Sequence, residues 1–121
     1  MPKKDELDSV LKELSSIGGI DGAAIVTRDG LLIDSMMLQE VDAETFAAMS
    51  ATMMGAAETA INELKKGNVS IVLVEAKDAK IVTTGAGEQA ILVVMTKPNI
   101  NLGLVLVELK KAANKVKKIL G

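Results

Sequence analysis

The 121-residue chain has no cysteine, histidine, tryptophan or tyrosine, and Phe46 is its single aromatic residue. Without cysteine there is no disulfide framework and no thiolate ligand or nucleophile, which points to a reducing compartment. Without histidine, zinc and redox-metal sites lose their usual ligands, and nucleophile–histidine catalysis has no base. One aromatic ring offers no platform on which nucleic-acid bases could stack. Charge of one sign is also lacking: fourteen basic and sixteen acidic residues leave −2, so neither nucleic acid nor a membrane surface is the expected partner. Charge-free runs fall short of the roughly 20 apolar residues that a membrane-spanning helix needs. The opening "MPKKDELDSV" places charges where a signal peptide would need its apolar core. The expectation is one cytoplasmic domain over residues 1–121, long enough to bury roughly two-thirds of its unfolded surface.

What is present is a clear alternation of periods. Leu7, Val10, Leu11, Leu14 and Ile17 recur at helical spacing before Gly18-Gly19, predicting a first helix over about 3–16. "GAAIVT-RDG-LLIDS" reads as two strands joined at Asp29-Gly30. A second helix is expected from a cap at Asp42 to about Lys66, stopped by Gly67-Asn68. "SIVLVEA", "KIVTTG" and "QAILVVMT" read as three further strands. A last helix over about 101–120 carries an apolar stripe at Val105, Leu109, Ala112, Val116 and Ile119 and lysines elsewhere. The order is αββαβββα. The third and fifth strands, "SIVLVEA" and "QAILVVMT", read as apolar runs rather than alternating ones, which suggests a sheet covered on both faces, with one helix on one side and two on the other.

The second helix poses the central question, because "TFAAMSATMMGAA" (residues 45–57) contains no charge. On a helical wheel Phe46, Met49, Met53, Ala57, Ala60, Ile61 and Leu64 group as the expected sheet-facing side. Ala48, Ala51, Thr52, Gly55 and Thr59 then form the back. Small residues at such spacing let two helix backbones approach closely, and Gly55 otherwise costs about 0.5–1 kcal/mol relative to Ala. No further helix remains in the chain to cover that back, so a second copy across a two-fold axis is the expected partner. "SIVLVEA" lacks an internal lysine, proline or glycine to blunt an exposed edge. If it is an edge, Ile71 and Leu73 belong to the same dimer interface. Glu58, Asn62, Lys65 and Lys66 flank the seam as the available polar contacts for another protein.

Motifs for chemistry are weak. Gly85-Ala86-Gly87-Glu88-Gln89-Ala90 matches G-x-G-x-x-A on paper, yet a strand follows where a phosphate site needs a helix N-terminus, so a hairpin turn is expected. Most carboxylates suit helix starts and turns; Asp34 and Glu75, on or near strands, are the exceptions. Arg28, the one arginine, sits in the first hairpin turn. No cofactor, metal or catalytic residue is expected.

"GIDGAAIVTRDGLLIDS", the Ala/Met-rich second helix and "ILVVMTKPNINLGLVLVELKKAANKV" together resemble the roadblock / dynein light chain family over essentially the whole chain. The resemblance implies an α/β (α+β) three-layer sandwich with a five-stranded, mostly antiparallel, profilin-like sheet. It implies a homodimer, or a heterodimer with a paralogue, in which two sheets run on and paired second helices form a platform. It also implies a non-enzymatic module that binds a Ras-like small GTPase as regulator or scaffold. Some GTPase-regulating members carry a C-terminal extension beyond the third helix; this sequence stops there, which leaves scaffolding open. A small-molecule sensor or a purely structural assembly adaptor is the alternative.

Overall fold

The computed structural model describes residues 2–37 and 40–121. Its elements follow the expected order: α1 (Lys3–Ser15), β1 (Ile20–Thr27), β2 (Leu32–Met37), α2 (Ala43–Leu64), β3 (Ile71–Glu75), β4 (Lys80–Gly85), β5 (Ala90–Thr96) and α3 (Leu102–Leu120). The ends are chemically specified. The Asp42 carboxylate accepts from the Thr45 N–H at 3.2 Å and from its hydroxyl at 2.9 Å, capping α2. Asn101 does the same for α3 through the Leu104 N–H at 3.1 Å. Lys65 closes α2 in a left-handed conformation with φ 55, and Gly67 follows at φ 100.

The strands form one antiparallel sheet in the order β2-β1-β5-β4-β3. β5 is its centre, and alternate side chains feed two cores. Leu92 and Val94, with Ala23 and Ile25 of β1, face α1 and α3. Ile91 and Val93, with Ala24 and Val26, face α2. This explains the unbroken apolar run of β5, which is buried on both sides. On α3, Val105, Leu109, Ala112 and Val116 are buried as the stripe predicts, and Ile119 is half-buried against the same core. Each fully buried Val or Leu contributes roughly 1.5–3 kcal/mol. The G-x-G-x-x-A stretch is the β4–β5 hairpin, with Gly87 at φ 86 making the turn.

The second apolar run has a different cause. β3 is an edge strand, half-exposed along its length, with Leu73 38% exposed. Its hydrophobicity is therefore not accounted for by coverage on both faces within the chain.

Candidate functional site

The uncovered surfaces begin with α2, and there the wheel needs a correction. The residues that meet the sheet are Ala47, Ser50, Ala51 and Met54. Met49 is 53% exposed and Leu64 63%, and Ala60 also faces solvent, so these three are not core residues. The true inward direction lies about a quarter-turn from the expected one. Three of the four contact positions are alanine or serine, with Met54 the one large side chain among them, while Met49 lies outside the contact. Ala51, expected on the back, is only 8% exposed and packs in its own chain's core.

Of the remaining back-face residues, Thr52, Gly55 and Thr59 are exposed. Ala48 is half-buried beneath the first hairpin: a side chain at Gly30, itself at φ 93, would come within 3.3 Å of the Ala48 Cα. The outward face thus runs through Met49, Thr52, Gly55, Ala56 and Thr59, still without a charge before Glu63 on that side. A Cβ added at Gly55 would meet nothing within 4 Å. Among the described residues no contact requires glycine there.

β3 supplies the second uncovered surface. Leu73 pairs with Val82 on the α1/α3 side of the sheet, as Ile71 pairs with Thr84. Ile71 packs partly against the core, whereas Leu73 projects from the edge. The opposite edge is guarded. On β2, Asp34 is tucked towards α1, where Lys4 lies 3.7 Å from it and 3.3 Å from Asp8. Burial, followed by a hydrogen bond to Asp8, raises the Asp34 pKa above the ordinary carboxyl value. The same hydrogen bond holds Asp8 below it. An inward-facing charge of this kind discourages pairing at a sheet edge.

Of the four polar residues flanking the seam, Asn62, Lys65 and Lys66 are exposed near the α2 C-terminus. Glu58 is engaged. Arg28 Nη1 donates to Glu58 Oε2 at 2.8 Å, and Nη2 donates to the Gly87 carbonyl at 3.0 Å. Arg28 therefore ties the β1–β2 turn to the middle of α2 and to the β4–β5 turn. Gly85 clears its path, since a Cβ there would lie 2.8 Å from Nη2. In the sequence Arg28 reads as a turn residue alone; the local signals are a single arginine in the chain and Gly85 beside the β4–β5 turn. Beside this strut, α2 and the sheet leave a small hole of about 20 Å³, open to the surface and lined by Arg28, Ala51, Met54, Gly55, Glu58 and Ile91. Among the described residues no group of three or more Asp, Glu, His or Cys is placed to hold a metal ion, and no helix is long and apolar enough to cross a membrane.

Comparison with known proteins places this geometry. The family model described as the Roadblock/LC7 domain matches residues 6–96. The uncharacterized protein MJ0310 of Methanocaldococcus jannaschii is 40% identical over 111 residues, covering 92% of this chain and 96% of that protein. Among solved structures, one described as MglB with tetrameric arrangement superimposes with a TM-score of 0.91 at 20% identity, over 98% of this chain and 90% of the other. Myxococcus xanthus MglB gives a TM-score of 0.88 at 23% identity, over 95% of this chain and 94% of the other. At those identities the likeness is one of fold.

Proposed function

The chain belongs to the Roadblock/LC7 domain family, and on that premise we propose that it is a non-enzymatic, dimeric interaction module of the cytoplasm that binds a Ras-like small GTPase, as regulator or scaffold. The observation that carries the reading is the outward face of α2. It is uncharged, exposes Met49, and contains a glycine that its own chain does not need. An exposed helix interior under no constraint would favour alanine by about 0.5–1 kcal/mol. A helix crossing close by on another copy gives the glycine its use. The unguarded β3 edge supports the same partner, because pairing it with its symmetry mate satisfies its free backbone groups and covers Leu73. Thr52, Gly55 and Thr59, with Ala48 at the margin, are the proposed helix seam, and Ile71 and Leu73 the strand seam. Asn62, Lys65 and Lys66 remain proposed contacts for the GTPase, while Glu58 acts through Arg28 by holding α2 in place.

A metabolite sensor with its site between sheet and α2 is less well supported. The hole beside the Arg28 strut is about 20 Å³, room for one water. The hollows of about 380, 420 and 490 Å³ elsewhere between helices, sheet and turns lie open to solvent, whereas small-molecule sites bury most of their ligand. The GTPase reading is tested by immobilising the chain and passing lysate over it with a non-hydrolysable GTP analogue or with GDP. Retention of a Ras-like GTPase that depends on the nucleotide, and that is lost on Met49→Glu, is the expected result. Retention of the chain's own copies or a paralogue alone would favour a structural assembly adaptor.

A further inference from the structure

The lysines of α3 divide into two flanks. On the side of α1, Lys111 lies 3.6 Å from Glu108 and Lys115 lies 3.1 Å from Glu13, so these charges are paired. On the opposite side Lys110, Asn114 and Lys117 recur at i, i+4 and i+7, one stripe of the helix. Neither Lys110 nor Lys117 forms an ion pair among the described residues. The stem of Lys117 lies over Gly87, where an added Cβ would come within 3.1 Å of its Cγ.

This second flank looks towards β3. Lys110, Ala113 and Asn114 form one wall of a hollow of about 250 Å³, with Ser70, Thr84 and Gly85 opposite. The Thr84 hydroxyl donates to the Ser70 carbonyl at 2.8 Å, fixing that wall. Beyond it the sheet ends at β3, with Leu73 uncovered on the same face. Of the acids on this side, Glu75 is 4.0 Å from Lys80, and Glu88 lines the adjoining hollow with Lys117. The helix as a whole holds five lysines and one glutamate, so α3 is +4 in a chain of −2, and the remaining residues are −6.

Pairing β3 with a second copy brings two such flanks to face one another across the two-fold axis. The two hollows, each at the Ser70 end of its β3, then lie at opposite ends of one trough on the face opposite the α2 platform. Its walls carry the unpaired lysines of both copies, and its floor is the joined β3 strands with Leu73. We infer that this trough is a docking site for an acidic, extended protein segment, separate from the α2 face; the inference rests on the β3 pairing proposed above. Charge complementarity selects the occupant: basic walls whose Lys110 and Lys117 form no ion pair among the described residues attract a polyanion, and like charges there repel basic chains. Each hollow alone is a shallow surface depression; with β3 paired, the two α3 flanks stand as walls on either side, which suits an extended chain lying between them better than a flat anionic membrane.

The experiment measures binding of a fluorescein-labelled oligoglutamate peptide by anisotropy at low salt, with light scattering to give the mass of each protein. Lys110→Gln/Lys117→Gln is compared with Lys111→Gln/Lys115→Gln, which removes equal charge from the α1 flank; thermal melts confirm that both fold. The expected result is a dimer whose peptide affinity falls about tenfold in the first pair and less than twofold in the second. Equal losses in both would reduce the effect to net charge and overturn the trough. Failure of the dimeric wild type to bind peptide, or binding only to phosphatidylserine vesicles, would overturn it as well. A wild-type mass near 12.7 kDa would instead overturn the β3 pairing beneath it.

Discussion

Replacing Gly55 separates what the residue does for its own chain from what it does for a partner. Within the chain an added Cβ meets nothing within 4 Å, and the position is an ordinary helix interior. Gly55→Ala therefore removes backbone freedom from the unfolded chain with no steric penalty in the folded one. The gain is about 0.5–1 kcal/mol, or roughly 2–6 °C in melting temperature for a domain of this size. Across a close helix pair the same methyl is a wedge, and the two-fold axis inserts it twice. The two effects are distinguished by concentration, since dimer stability depends on it and monomer stability does not. Melts at dilution below the dissociation constant should show Gly55→Ala more stable than wild type. Sedimentation across a concentration series should show its dimer weakened, and Gly55→Leu should be largely monomeric. A Gly55→Leu protein that dimerises as tightly as wild type would refute the seam.

Three other perturbations address the protomer itself. Asp34 has a raised pKa, so its folded form holds the proton more tightly than its unfolded form. Its favourable contribution is complete below the ordinary carboxyl value of about 4 and is lost as pH rises through the folded pKa. Asp34→Asn should accordingly melt higher than wild type at pH 7, with the advantage vanishing near pH 3; an advantage that grows on acidification would contradict the assignment. Arg28 and Glu58 are each about one-third exposed on their side chains, and a double-mutant cycle with Arg28→Ala and Glu58→Ala should give a coupling of about 1 kcal/mol by denaturant unfolding. A coupling near zero would leave the strut without energetic meaning. The Thr83 hydroxyl is buried without a hydrogen-bond partner among the described residues, so the near-isosteric Thr83→Val should raise stability by about 1 kcal/mol. A loss measured in the same way would indicate a partner for the hydroxyl.

Element order and most boundaries were readable because they rest on local chemistry. Asp42 and Asn101 cap helices through side chains three residues from their targets, and Asp29-Gly30 turns a hairpin within a few residues. The stripe of α3 was readable because its buried positions are also its large apolar ones. In α2 that coincidence fails. Ala47, Ser50 and Ala51 take three of the four contact positions beside Met54, so hydrophobicity points about a quarter-turn away, on the side of Met49. The edge position of β3 depends on the sheet order, which sequence alone leaves open. The Arg28–Glu58 pair joins residues 30 apart, and nothing local in either announces the other.

The account's central claim is that this chain works through surfaces that its own fold leaves uncovered, and the outward backbone of β3 tests it most directly. As an edge strand, β3 directs part of its amides away from β4, where they exchange with solvent in an isolated protomer. Hydrogen–deuterium exchange should be followed over residues 71–75 and along α2 from high to low protein concentration. Protection of the outward β3 amides and of the α2 segment around Gly55 that is lost together on dilution is the predicted result. Rapid exchange of those β3 amides at every concentration, from a protein that remains monomeric, would contradict the account.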